Sequence, residues 1–414
     1  MIRRYIASIA IVLFLITSGF AQNVEKTGGY ARLLGMGNNP YVIDPYSTTI
    51  NPAWGAVYDN FLFGDLGAQG GGNAGQFVSA NFGVGKDFTL GMILARNDFR
   101  GFSISRLDPG GVVTTLNGFY GQQAAVPLNN NFELMGTMTF GKSSVGLGVA
   151  YASTTNDFTP ATGNTGYEGS ASQIGFNAGI LAQFTNSLKL DLGASLMMPS
   201  ANFKLNAGEE SEVSQTVIGV NARLFWKYSQ KLSFVPSVGF ITASGTFKNA
   251  ANATPSTPPT TGDLNSVTAI TAGIGINYIV GDFLLAGGPG FAMTSITSPA
   301  VDPAPEISNS NFAFPIWNLG LEWKLTDWFV GRLGYFGATN KATTESFNGL
   351  TPPGVDENVI TNFQPYGTTV GVGFRFGNFS LDGTVNVEVL HQGLNNIGNF
   401  GPTFAYMSAS YAIP

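Results

Sequence analysis

The sequence predicts an all-β fold, a transmembrane antiparallel β-barrel of about 14–16 strands with an N-terminal luminal plug. Three observations predict it. The chain opens with an export leader, it has no later apolar run long enough for a membrane helix, and large and small side chains alternate with period two along most of its length.

The leader comes first. Arg3 and Arg4 precede the apolar stretch Ile9–Ile16, and Thr17-Ser18-Gly19-Phe20-Ala21 ends on small residues before Gln22. That is the layout of a cleavable signal peptide, residues 1–21, whose core falls well short of the about 20 residues that span a bilayer. Losing Arg3 and Arg4, with no acidic residue in the same stretch, moves the formal charge from −6 to −8. An acidic chain of this kind is not expected to bind nucleic acid. Cysteine is absent, so an exported chain must hold its fold without disulfides. Charged residues make up 11 %, against about a quarter in soluble domains, while Gly counts 55 and Phe 33. Backbone groups in lipid must all be paired, and apart from helices only a closed barrel achieves this.

The alternation supports the strands. Leu188, Leu190, Leu192, Ala194 and Leu196 alternate with Lys189, Asp191, Gly193 and Ser195; Val370, Val372, Phe374 and Phe376 alternate with Gly371, Gly373 and Arg375. Short polar turns recur at Lys86-Asp87, Lys142-Ser143, Asn186-Ser187, Ser229-Gln230, Gly281-Asp282, Thr326-Asp327 and Gly377-Asn378. Longer polar segments lie between them, at 98–131, 154–171, 244–263, 296–310 and 340–362. Short turns facing the periplasm and long loops facing outward are the pattern of an outer-membrane barrel. Aromatic residues beside the short turns (Phe140, Phe184, Trp226, Tyr228, Phe283, Trp323, Trp328, Phe376, Phe379) read as an interfacial girdle. With a first strand near 61–70 and a last near 403–413, the count comes to about sixteen.

Residues 22–60 do not alternate. Gly28-Gly29, Gly35-Met36-Gly37, Asp44-Pro45 and Asn51-Pro52 break both helix and strand, yet the segment is apolar enough to want burial. The lumen is the available space. Glycines expected to face it (Gly83, Gly91, Gly146, Gly148, Gly219, Gly273, Gly275, Gly320, Gly371, Gly373) would let another backbone approach. The chain therefore divides into a leader (1–21), a hatch or plug (22–60) and a barrel (61–414).

Leu34-Gly35-Met36-Gly37 followed by Asn51-Pro52-Ala53 resembles the start of the long-chain fatty-acid transporter (FadL) family, in a wider group with the outer-membrane shuttle protein of type IX secretion. The resemblance implies that Leu34, Gly35, Met36, Gly37, Asn51, Pro52 and Ala53 lie in a hatch inside the barrel. It also implies transport of a hydrophobic or amphipathic, fatty-acid-like molecule across the outer membrane of a Gram-negative cell. Those transporters have fourteen strands, and a small residue commonly stands where this chain has Trp54.

A plugged barrel passes solute only if the plug shifts or the wall opens. Gly287-Gly288-Pro289-Gly290 is the candidate lateral opening, because proline has no amide to give to a strand ladder; a plain bulge is the alternative. Pro236 and Pro315 read as bulges. Lys189, Asp191, Asn221, Arg223, Glu322, Lys324, Arg332, Arg375, Asp382 and Glu388 point inward by alternation and, carrying both signs, suggest a structural network. Phe99, Phe102, Leu107 and Leu116 in the first long loop are candidates for a hydrophobic ligand site. No enzyme is expected: His391 is the single histidine and stands alone, cysteine is absent, and no cluster has metal-ligand spacing. No cofactor is expected. The expected partners are outer-membrane lipid and a hydrophobic small molecule, with the barrel a monomer. The rival readings are an accessory barrel that docks secretion-system proteins and a general porin.

Overall fold

The computed structural model describes residues 26–67, 76–96, 103–121, 126–128, 130–161, 166–205, 208–253, 257–301, 304–349, 354–385 and 404–414. The signal segment, Phe99, Phe102, Glu388 and His391 lie outside the described residues.

One closed antiparallel sheet makes the body. It begins with β1 (Phe61–Gly67), β2 (Phe77–Val84), β3 (Phe88–Arg96), β4 (Asn130–Phe140), β5 (Ser143–Phe158) and β6 (Tyr167–Thr185). It continues with β7 (Leu188–Leu205), β8 (Glu210–Lys227), β9 (Leu232–Asn249), β10 (Thr260–Asp263), β11 (Ser266–Val280) and β12 (Phe283–Ser298). The last are β13 (Ile307–Lys324), β14 (Phe329–Phe347), β15 (Val355–Phe376), β16 (Phe379–Val385) and β17 (Phe404–Ala412). β10 and β11 pair one after the other along β9, so the 17 segments build a 16-strand wall. Closure is direct: β1 pairs with β2 on one side and with β17 on the other.

All seven short turns fall between paired strands. The long loops are shorter than the hydropathy suggests. β5 and β6 stay paired out to Phe158 and Tyr167, and β14 and β15 out to Phe347 and Val355. The reason is visible in β6. Near the turn end Phe176 and Ile180 are exposed on the outside while Asn177 is buried inside; near the outer end Ser170 and Ser172 face out and Ala171 is buried. Pairing continues past the lipid belt, but the polarity of the two faces exchanges, so apolar-outward alternation no longer marks a strand. The girdle aromatics are all exposed on the outer surface, with Phe283 and Trp323 stacked at 5.1 Å.

Most irregularities in the ladders between long strands sit at a proline, which cannot donate to its neighbour; the shift between Gln183 and Thr185, at the turn end of β6 and β7, does not. β7 and β8 skip two pairs at Pro199, β8 and β9 at Pro236, and β11 and β12 at Pro289. Shifts at Pro315 and beside Pro365 follow the same pattern. The Gly287–Gly290 tetrad lies within β12, whose pairing with β13 runs unbroken from Ala286 to Gly290 before a bulge; only the β11 side is interrupted.

Residues 28–60 lie against the inward face of this wall. Where they touch it, the wall residue is often glycine. A Cβ on Gly146 would run into the backbone of Pro52 and Ala53, and one on Gly334 into that of Gly37. Gly146→Leu should therefore lower the unfolding midpoint in guanidinium, at a cost of about 1–3 kcal/mol for overpacking. Gly118→Ala, with open space around the added carbon, should leave the midpoint unchanged or raise it slightly.

The lumen as candidate functional site

The N-terminal segment is built from two repeats of one capping device. Asp44 accepts from the Tyr46 amide (2.9 Å) at the start of the 3-10 turn Pro45–Thr49. Asn51 accepts from the Ala53 amide (2.9 Å) at the start of the turn Pro52–Ala56. In both, proline takes the first helical position, where no amide is needed. A short helix, Tyr30–Gly35, precedes them, and Gly37 follows it at φ +73, the left-handed region.

The segment then runs round the wall, and almost every contact is a side chain meeting a backbone group. Ala31 donates to Ser408 Oγ on β17 (2.9 Å) and accepts from Thr384 Oγ1 on β16 (3.1 Å). Asn318 on β13 donates to the carbonyls of Gly37 and Asn38 (3.1 and 3.2 Å). Asn39 donates to the Ala286 carbonyl on β12, and Asn277 on β11 donates to that of Tyr41. Asn51 Nδ2 reaches Asp191 on β7 (2.6 Å) and the Ile180 carbonyl on β6 (3.3 Å). Thr137 on β4 donates to Pro52 (2.7 Å), and Ser144 on β5 donates to Ala53 (2.9 Å). Of the motif residues, Gly35, Met36, Gly37, Asn51, Pro52 and Ala53 are buried and Leu34 is half-buried.

Tyr41 meets the glycine tetrad at Pro289 and Gly290, while a Cβ on Gly287 or Gly288 would strike the backbone of the neighbouring strands. Its ring fills the space over Gly273 and Gly275, where a Cβ on either glycine would strike it, and its hydroxyl donates to the Pro289 carbonyl (3.2 Å). Nothing in the sequence pattern singled out Tyr41; a run of glycines facing one aromatic on the segment is the signal that could have.

Two charge networks hold the segment. Arg32 grips Glu322 with two bonds (2.8 and 2.9 Å) and lies 3.3 Å from Asp44; Arg332 joins Glu322 (2.6 Å) to Asp382 (2.8 Å), which also takes Arg375. On the opposite wall, Arg223 donates Nε and one Nη2 hydrogen to Asp191, the other to Ser47, and its Nη1 hydrogens to the carbonyls of Pro40 and Val42. All five N–H groups of this guanidinium are engaged. Trp54 stacks under Lys189, whose ammonium is 4.5 Å from the ring.

Between the segment and the inward faces of β8, β9 and β11 lies a cavity of about 350 Å³. Its lining mixes the aliphatic Leu33, Val42 and Ile50 of the segment with the neutral polar Asn221, Ser237 and Thr271 of the wall. Above it, towards the long-loop end, residues 103–121 enter the barrel. Asp108 caps the helix Val112–Phe119 through the amides of Val112 and Val113 (2.6 and 3.0 Å), and Gln173 bonds the Arg106 carbonyl (2.7 Å). Ser105 donates to Glu133 (2.5 Å). Leu107 and Leu116 were expected to offer a ligand surface; instead they are buried against Ala171, Ala201, Phe203 and Val213, because the polarity exchange leaves that part of the inner wall apolar.

The Arg223–Asp191 pair gives a prediction. Removing one partner leaves a buried charge, so Arg223→Met should destabilise the fold by about 3–5 kcal/mol, while the double change with Asp191→Asn should cost clearly less, read from guanidinium midpoints. Asp44 gives another. Burial pushes its carboxyl up to about 6 from 3.8, partly offset by Arg32. Stability from holding that proton is complete below pH 3.8 and lost as pH rises through about 6. Relative to Asp44→Asn, the parent protein should therefore lose stability between pH 4 and pH 7.

No family model matches the chain, and no curated protein matches it by sequence. Solved structures do. The toluene transporter TodX of P. putida matches at 12% identity and TM-score 0.39, over 94% of this chain and 99% of that one. The toluene transporter TbuX of Ralstonia pickettii matches at 12% and 0.37, over 92% and 97%. The FrpB iron transporter of Neisseria meningitidis matches at 12% and 0.44, over 79% of this chain; the matched part spans only 54% of FrpB.

Proposed function

We propose that this chain is an outer-membrane transport protein in which residues 22–60 plug the barrel and a hydrophobic or amphipathic small molecule passes through the lumen. The observation that carries the reading is the cavity between segment and wall. A concave site with apolar groups and a few polar ones is what a small-molecule carrier needs, and about 350 Å³ falls in the usual range of such sites. The leader supports export, and the outward apolar belt with its girdle supports residence in lipid. A segment bonded to strands on every side of the lumen weighs against an open porin.

Passage needs the segment to yield or the wall to part. We place the weak point of the wall at Gly287–Gly290, where the β11 ladder is interrupted, and read the Tyr41 hydroxyl bond to the Pro289 carbonyl as what latches it in the resting state. A docking role for secretion-system proteins keeps one supporting observation: Val359, Ile360 and Phe363 are exposed on the outer part of β15.

The test is conductance in a planar bilayer. The intact protein should be electrically silent, and a version lacking residues 22–60 should conduct steadily. Equal conductance from both would remove the plug and leave a porin.

A further inference from the structure

We infer that the lumen cavity selects uncharged molecules that carry one hydrogen-bonding group, and rejects carboxylates. The inference rests on the reading of that cavity as the transport site. It follows from what the charged residues around the cavity are already doing.

Two ionic side chains line it, Arg223 and Asp191. A fatty-acid-like anion would need the arginine. Arg223, however, has given Nε and one Nη2 hydrogen to Asp191 (2.9 and 2.7 Å), the other Nη2 hydrogen to Ser47 (2.9 Å), and both Nη1 hydrogens to the Pro40 and Val42 carbonyls (3.1 and 3.3 Å). A guanidinium has five donors, so none remains for a ligand. Asp191 is equally committed: Oδ2 accepts from Arg223 and Oδ1 from Asn51 (2.6 Å). Freeing the arginine would break its hold on residues 40–47 and leave Asp191 buried without its cation, a costly exchange. A carboxylate entering the cavity would thus lose its hydration shell and meet no positive charge in return.

The remaining polar groups are neutral. Asn221 from β8, Ser237 from β9 and Thr271 from β11 stand on the wall side, opposite Leu33, Val42 and Ile50 of the segment. The segment's Asn39 and Asn51 are already bonded within the protein, so neutral wall groups beside aliphatic side chains fit a compact molecule with one polar edge, such as an alcohol or a ketone. An anion pays in desolvation here, whereas a hydroxyl or carbonyl finds a partner.

Four probes sharing one skeleton test this with the full-length protein in detergent at pH 7: p-xylene, 4-methylbenzyl alcohol, 4-methylacetophenone and 4-methylbenzoate. Binding is read by isothermal titration and by saturation-transfer NMR. The alcohol and the ketone should bind about tenfold or more tightly than the benzoate, and both should exceed p-xylene. In Asn221→Leu the advantage over p-xylene should shrink while p-xylene itself still binds; Thr271→Val is the second variant if Asn221→Leu fails to fold. Benzoate binding as tightly as the alcohol would overturn the selection and leave the cavity as a ligand site. If none of the four binds, or if binding persists unchanged in the cavity-filling variant Ile50→Trp, the transport reading of the cavity fails and the inference falls with it.

Discussion

A backbone amide in hydrocarbon must find its partner within the protein, and most of this structure follows from that constraint. It forces the strands to close into a ring through β1 and β17. A closed ring of 16 strands encloses a lumen, and the lumen has to be filled or left as water. Here the filling is irregular backbone, whose own amides and carbonyls also need partners. The wall supplies them with short polar side chains: Asn318, Asn277, Thr137, Ser144, Ser408 and Thr384 each meet a main-chain group of residues 31–53. Glycines between them bring the two backbones close enough for these bonds to form.

The charges serve the same end. Arg32 and Arg223 project from opposite partners, one from the segment to the wall and one from the wall to the segment, and each ends in a carboxylate that a second group also holds. Buried ion pairs contribute little net stability, but they fix one arrangement against others, because any shift strands a charge. The segment is thereby held in a single register around the lumen, and the cavity it leaves has a defined lining.

How much of this was legible in the sequence depends on what kind of signal carries it. The turns, the girdle and the strand count were readable because lipid outside and polar groups inside impose an alternation on each strand. The outer halves of β5 to β9 were not, since above the lipid belt Ser170, Ser172, Ser200 and Ser214 face out and the hydropathy contrast exchanges sides. Asn51-Pro52 was legible as a break, and its chemistry, a cap that also anchors, could be inferred only once Asp191 and Ile180 were seen beside it. Arg223 could be placed inside the barrel by parity, but not its five bonds. Leu107 and Leu116 looked like free apolar surface because the wall they pack on is remote in sequence.

The seam between β1 and β17 has a consequence for assembly. Ser408, on the last strand, bonds both Asp65 of β1 and the amide of Ala31. The seam therefore joins β17 to β1 and to the amino-terminal segment at a single residue. These contacts join positions nearly the whole chain apart, and such topologies gain their stabilising pairs only after most of the loop entropy has been spent. Folding should therefore be slow and governed by a late step, the capture of the amino-terminal segment as the ring shuts. A barrel that closed without it would face a lumen lined with unpartnered asparagines and arginines.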